Sequence, residues 1–305
     1  MLELPKEITE NYPRDMSEFM EHFRTEEQCK DYLISIRYPK GFVCPKCRSK
    51  DVWKLKKGMW RCKKCRKDIS VTAGTAFQNT HIPLTIWFQA VWLVVSQKNG
   101  ISALGLAHSL GIKREMTVWR LLKKIRSNMI RTSTDLLTGT VEIDEVFIGG
   151  IKKGVRGRGA QGKVLALVAV EDKGKKEIGR IRILTIPDAK AETLLKTIQT
   201  IVAKGGTIRT DQHPSYPIIK NHGYKHEPIK NVCYELGEDT TPLVHRVSAL
   251  LKRWLLGTHQ GGVHIVNMQN YLDEYVFRFN RRTSKYRGKL FYRLIQNMVK
   301  KEEVV

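Results

Sequence analysis

The chain has 305 residues, enough for two or three small domains, and its 54 Lys and Arg against 30 Asp and Glu give a formal charge of +24. Such an excess calls for a polyanionic partner, with nucleic acid the default and a membrane surface the other candidate. No apolar run reaches the ~18 residues of a spanning helix, since the longest, around Ile86 to Val95, is interrupted by Gln89. MLELPKEITE lacks the basic start and apolar core of a secretory signal. The expectation is a cytoplasmic chain with no membrane segment, whose six cysteines are metal ligands rather than disulfides.

In chain order, Met16, Phe19, Met20, Phe23, Cys29, Tyr32 and Leu33 recur at helical spacing and predict one or two short helices within a segment 1–38, with Cys29 a small core residue. A second segment, 39–72, holds two CxxC pairs, Cys44/Cys47 and Cys62/Cys65, with fourteen residues between them. Each pair can place two thiolates on one tetrahedral ion, and the stretch between is the size of a hairpin turning at Lys57-Gly58. That is a zinc ribbon; four thiolates leave no open position for water, so the Zn²⁺ is structural. The many Lys and Arg around it suggest that it also touches phosphate.

Residues 80–134 read as helical. Leu84 to Ser96 is an apolar helix opened by Pro83. Ser102 can cap a helix through Leu110, with Gly111 ending it. Thr117 to Met129 forms another, with Val118, Leu121, Leu122 and Ile125 inward and Arg114, Arg120, Lys123, Lys124 and Arg126 on the other face. Helix, glycine turn and basic helix make the helix-turn-helix pattern, so Arg120, Lys123 and Lys124 are candidate DNA contacts; a plain helical hairpin is the alternative. His108 reads as a partly buried helix residue.

The segment 138–283 opens on TVEIDEVFIGG, a strand whose apolar residues do not strictly alternate, as in a strand buried on both faces. It nevertheless carries Glu142, Asp144 and Glu145. A buried carboxylate is costly unless it is paired or binds metal, so Asp144 is a candidate ligand of a catalytic cation; an edge strand with solvated acids is the alternative. In GGIKKGVRGRGAQGKV, Gly157 and Gly162-Lys163 satisfy most of a phosphate-loop pattern. Val164 follows in place of Ser or Thr, and the next stretch, KVLALVAVED, is a strand. A basic hairpin loop contacting DNA through Arg156 and Arg158 fits better. Glu177 to Ile186 is a third strand, Ala189 to Ala203 an amphipathic helix, and Thr207 to Asp211 a fourth strand. That order is the order of a ribonuclease-H-like core, whose first and fourth strands are neighbours, so Asp144 and Asp211 can meet at a metal. Pro242 opens a helix to about Leu256 with Gly257 as its stop. It holds no acid; His245 lies near its start and Lys252 two turns on along the same face.

CPKC…CKKC, VEIDEVFIGG, TDQHPSY, HRVSALLKRWLLGTH and YLDEYVFRFNRR together resemble the DDE transposases of bacterial insertion sequences, in the subgroup with an N-terminal zinc ribbon and an ISXO-type catalytic domain. The likeness covers nearly the whole chain from about residue 30. It implies a multidomain α+β protein: zinc ribbon and helix-turn-helix, then an α/β RNase-H-like catalytic domain with a mixed sheet. It also implies metal-dependent cleavage at the ends of an element and strand transfer into target DNA. Asp144 and Asp211 carry over as the first and second acids, holding two Mg²⁺ or Mn²⁺ per active site. The family pattern has Glu or Asn where His245 stands, while Lys252 matches its basic position. Glu235, Glu238, Asp239, Asp273 and Glu274 compete with His245 as third ligand. Segment 284–305 is expected to be a basic helical tail; with Arg281 and Arg282, interleaved by aromatic residues, it suits a surface that tracks a DNA backbone. Two ends must be joined, so a homodimer or larger assembly on double-stranded DNA is expected. The rivals are a catalytically dead DNA-binding regulator and an RNase-H-like nuclease.

Overall fold

The structure, a computed structural model, describes residues 11–55, 59–130, 136–149, 163–175, 177–229, 240–260 and 263–299. They fall into two compact units: residues 1–128 with 284–305, and residues 129–283.

The first unit opens with α1 (Met16–His22) and α2 (Glu26–Arg37). The Thr25 hydroxyl accepts from the Gln28 N–H while Gln28 accepts from the Thr25 N–H, a capping box that satisfies two N-terminal donors. Three short antiparallel strands follow: β1 (Val52–Lys54), β2 (Met59–Cys62) and β3 (Asp68–Ser70). The expected hairpin therefore gains a third strand, closed by the Arg61–Asp68 pair at 2.6 Å; its expected turn at Lys57-Gly58 lies outside the described residues. Next come α3 (Leu84–Ser96), α4 (Ala103–Leu110) and α5 (Glu115–Arg126). Ser102 caps α4 by accepting from the Gly105 N–H, and Gly111 ends it in the left-handed region at φ 64°.

The last helix, α9 (Arg287–Val299), expected as part of a separate basic tail, packs into this unit. Phe291 meets the rings of Phe19, Phe23 and Phe88 at 5.5–5.6 Å, and Trp92 closes the cluster against Phe19 at 4.8 Å. Interleaved aromatic and basic residues thus serve packing more than a surface. Phe291 is fully buried because large rings contribute more by leaving water than by lying on it.

The second unit is a five-stranded sheet in the order β6-β5-β4-β7-β8, formed by β4 (Thr140–Ile148), β5 (Val164–Asp172), β6 (Ile178–Thr185), β7 (Thr207–Thr210) and β8 (Lys225–Pro228). β4, β5 and β6 are antiparallel neighbours; α6 (Ala191–Ile201) then crosses to β7, parallel to β4, and β8 is parallel to β7. This is the mixed sheet of a ribonuclease-H-like domain, with a fifth strand, β8, beyond the four expected. β8 is short and ends in Pro228, which suits an edge. β4 lies between two partners, so its acids are not those of an edge strand. Val141 and Ile143 enter the core beneath α6, while Val146 and Ile148 enter the one beneath α7 (Pro242–His259) and α8 (Met268–Phe279). Leu251 of α7 is fully buried there, and Leu251→Ala would cost about 2–5 kcal/mol.

α7 does not stop at Gly257. It continues to His259, whose ring packs on Trp254 at 4.9 Å and on Tyr271 at 4.7 Å, and those contacts outweigh the weak helix propensity of one glycine. Tyr275 and Phe277, expected on a DNA-facing surface, are buried in α8.

Candidate active site and metal centre

The ribbon is built from two matching turns. In Cys44–Arg48 the Arg48 N–H donates to the Cys44 carbonyl at 2.9 Å; in Cys62–Arg66 the Arg66 N–H donates to the Cys62 carbonyl at 3.0 Å. Both arginines sit in the left-handed region, at φ 62° and 58°, which L-residues adopt only when the turn imposes it. The turns bring all four Sγ atoms within 4.8 Å of one another, with Cys44–Cys65 at 3.6 Å and Cys47–Cys62 at 3.5 Å. A tetrahedron with Zn–S bonds of ~2.3 Å has edges of roughly 3.8 Å, so the thiols fit a structural Zn²⁺. Phe42, Trp60 and Ile69 pack around them, with Tyr38 stacked on Trp60 at 5.7 Å.

The acid site depends on strand register. The β4–β7 ladder pairs Thr140 with Thr207, Val141 with Ile208 and Glu142 with Arg209, and there it ends. Carried two residues further, the same register sets Asp144 opposite Asp211. Alternation places Asp144 on the α7 face of β4. Asp144 accepts from the Glu145 N–H at 2.7 Å and from the Thr241 hydroxyl at 2.9 Å, and its Oδ2 faces His245 Nε2 at 3.3 Å. Burial pushes the Asp144 carboxyl above its usual range; the Asp211 charge adds to this, while Thr241, the Glu145 N–H and His245 oppose it. Asp211, just past β7, accepts from the His213 N–H at 3.0 Å. His245 is about half exposed in the first turn of α7.

These donors suit a hard divalent cation, but they are more widely spaced than the thiols. Among the described residues, the four cysteines are the one group of three or more potential ligands within 4.8 Å. Of the competing acids, Glu235, Glu238 and Asp239 lie outside the described residues. Glu274 is 1 % exposed and paired with Arg278 at 3.0 Å, and Asp273 accepts from Gln269 at 2.8 Å, so both have partners on their own helix.

Sequence reasoning passed over Thr241, Tyr216 and the roles of Glu142 and Glu145. The N–H of Val244 in α7 donates to Glu142 at 2.8 Å, and the Tyr216 hydroxyl donates to Glu145. The acids of TVEIDEVFIGG were visible; their partners, far along the chain, were not.

The expected DNA contacts divide by setting. Arg120 and Lys123 are exposed on α5 and Lys252 on α7. Lys124 is exposed, but its Nζ donates to the Gln78 carbonyl at 3.4 Å and lies over Trp87. Arg126, expected on the same basic face, is 2 % exposed because its position follows the buried stripe of α5. His108 is exposed, not partly buried. Arg281 stacks on Phe277 at 4.1 Å and Arg282 on Phe279 at 4.3 Å, and Arg282 also donates to the Gly179 and Ile178 carbonyls. Arg156 and Arg158 lie outside the described residues.

Residues 136–280 match the family model of the ISXO2-like transposase domain, and residues 24–68 match the transposase zinc-ribbon domain. "Uncharacterized protein in transposable element ISH50" of Halobacterium salinarum is 26 % identical over 262 residues, covering 78 % of this chain and 86 % of that one. The crystal structure of the catalytic core domain of BIV integrase aligns with 45 % of this chain and 82 % of that chain, at 17 % identity and a TM-score of 0.30. No described helix is long and apolar enough to cross a membrane. Each of the two units thus carries a matching domain: the chain has a transposase zinc ribbon in the unit with the thiols and an ISXO2-like transposase domain in the unit with the acids.

Proposed function

We propose that the chain is a DNA transposase that binds the ends of its element, cuts them and transfers the strands into target DNA. The observation that carries this reading is the parallel register of β4 and β7, which carried two residues past its last pair sets Asp144 opposite Asp211, with His245 3.3 Å from Asp144. Asp144, Asp211 and His245 would hold two Mg²⁺ or Mn²⁺ ions, which when bound activate a water or 3′-hydroxyl and stabilise the leaving oxygen. The Thr241 hydroxyl fixes which way the Asp144 carboxylate faces. Lys252, on the His245 face of α7, is placed to meet a phosphate, and Arg120 and Lys123 offer α5 to the groove or backbone. Double-stranded DNA is the partner, bound by a homodimer or larger assembly, since two ends must be joined.

The wide spacing of the acid-site donors favours a second reading, a DNA-binding regulator with a dead core. Cleavage and strand transfer on duplexes carrying the element ends, in Mg²⁺ and in Mn²⁺, decide between them. Cut and joined products, both lost in Asp144→Asn and Asp211→Asn while DNA binding persists, are expected. Binding without metal-dependent cutting would establish the regulator, and cutting without joining would establish a nuclease.

A further inference from the structure

β4 carries three acids within four residues, Glu142, Asp144 and Glu145, on the central strand of the sheet. A reading of Asp144 as a ligand leaves the other two unexplained, and a carboxylate buried without partners costs several kcal/mol. Their partners are specific. Glu142 is 4 % exposed and accepts the Val244 N–H at 2.8 Å, across 102 residues of chain. Val244 is the third residue of α7, where the N-cap side chain ordinarily accepts this hydrogen bond. The N-cap is Thr241, yet it makes no capping bond, because its hydroxyl is turned to Asp144 instead. Pro242, at the first helical position, has no N–H to satisfy. Glu142 therefore supplies from the strand the cap that Thr241 gives up, and its charge suits the positive end of the helix dipole.

Glu145 faces the other side of the sheet, where Tyr216 is fully buried and donates its hydroxyl to the Glu145 carboxylate. Tyr216 closes the turn that begins at Asp211: the His213 N–H donates to Asp211, and the Tyr216 N–H donates to the His213 carbonyl at 3.2 Å.

We propose that Glu142 and Glu145 are positioning residues that tie the two other ligand-bearing elements to the Asp144 strand. Glu142 holds the start of α7, and with it His245; Glu145 holds Tyr216, and with it the turn carrying Asp211. The inference rests on the reading of Asp144, Asp211 and His245 as a divalent-metal site. It explains why a buried strand holds three acids: one faces the ion and one anchors each remaining ligand.

The test is Mn²⁺ affinity of the DNA-free, zinc-loaded full chain, followed by electron paramagnetic resonance, with the thermal midpoint recorded for each variant. Groups that orient ligands typically contribute 10–100-fold to metal affinity, so Glu142→Ala and Tyr216→Phe should each weaken Mn²⁺ binding by about tenfold or more. Glu142→Gln, whose amide oxygen can accept the same N–H, should restore most of that loss. Should Glu142→Ala fail to fold, Tyr216→Phe decides, since it keeps the buried ring and removes only the hydroxyl. Wild-type Mn²⁺ affinity in Tyr216→Phe and in folded Glu142→Ala overturns the inference, while loss of binding in Asp144→Asn shows that the metal site itself stands. If Asp144→Asn binds Mn²⁺ as the wild type does, the metal-site reading falls and this inference falls with it.

Discussion

The zinc ribbon and the proposed divalent-metal site around Asp144 are built in opposite ways. The ribbon closes its thiols with two local turns, each stapled by its own backbone N–H, and the four Sγ atoms stand at bonding distance for zinc. The acid site draws Asp144, Asp211 and His245 from a strand, a turn and a helix, separated by 67 and 34 residues of chain, and leaves its donors farther apart. A closed tetrahedral site supplies folding energy; an open site needs a sheet already folded around it and keeps room for water and substrate. Local turns suffice for a structural metal, whereas a catalytic one borrows rigidity from the fold.

The sharpest way to break this contrast is to remove each metal in turn. Stripping zinc should unfold residues 40–70, because structural zinc contributes roughly 10–16 kcal/mol in finger peptides. The fluorescence of Trp60, stacked on Tyr38 beside the thiols, should report the loss. Removing Mg²⁺ and Mn²⁺ while zinc stays bound should leave the 129–283 unit folded, lowering its midpoint only by the modest amount that ligand linkage sets. A ribbon that melts identically after zinc removal would erase the distinction.

The openness of the acid site can be probed at His245. His245→Ala should lose most cleavage activity, and the wild type should work better in Mn²⁺ than in Mg²⁺, because imidazole suits the softer ion. His245→Glu should raise the rate in Mg²⁺. Wild-type rates for folded His245→Ala in both metals would remove it from the site and turn attention to Glu235, Glu238 and Asp239.

The claim that the second unit is rigid without metal can be tested at Glu171. It is 1 % exposed, and its carboxylate takes N–H groups of Thr138 and Arg180 at 2.9 and 3.0 Å and the Arg180 guanidinium at 2.6 Å. Burial works to raise the Glu171 carboxyl, but Arg180 and the backbone donors prevail and hold it below its usual value near 4.5. A depressed carboxylate contributes stability that is present above the unfolded pKa and lost as the pH falls through the folded one. Unfolding of this unit should therefore become easier below about pH 4.5, and Glu171→Gln should flatten that part of the profile while costing about 1.5–3 kcal/mol at neutral pH. The smallest expected effect is at α4: Ser102→Ala removes one cap in the ribbon-bearing unit and should cost about 1 kcal/mol in urea unfolding, without changing zinc content.

How much could be read from the chain follows the same division. Cys44, Cys47, Cys62 and Cys65 announce the ribbon because fixed spacing is a local property. Ser102 and Gly111 announce α4 for the same reason. Asp144 stands out as an acid in a buried strand, while its pairing with Asp211 is read from the strand order and the family resemblance, since nothing near either residue names the other. Glu142 and Tyr216 were missed because their partners stand 102 and 71 residues away, and no periodicity encodes such a pairing. Gly257 misled because a glycine stops a helix only where tertiary contacts do not carry it on. The basic and aromatic stretch after Tyr271 leaves packing and a DNA-tracking surface equally open, because alternating rings and charges suit both; its rings, Phe277 and Phe291 among them, go to cores.

The place of Phe291 bears on the order in which the protein can take shape during synthesis. The unit with the acids occupies one unbroken stretch and has its whole sequence once Thr283 has emerged. The unit with the zinc ribbon begins first but lacks a wall of its aromatic cluster until α9 is made. On a ribosome, Phe19, Phe23, Phe88 and Trp92 wait, partly uncovered, while some two hundred further residues are added. The first unit to begin is thus the last to be sealed, and a message cut short before Phe291 would release chains with a finished sheet and an open aromatic core, ready prey for proteases.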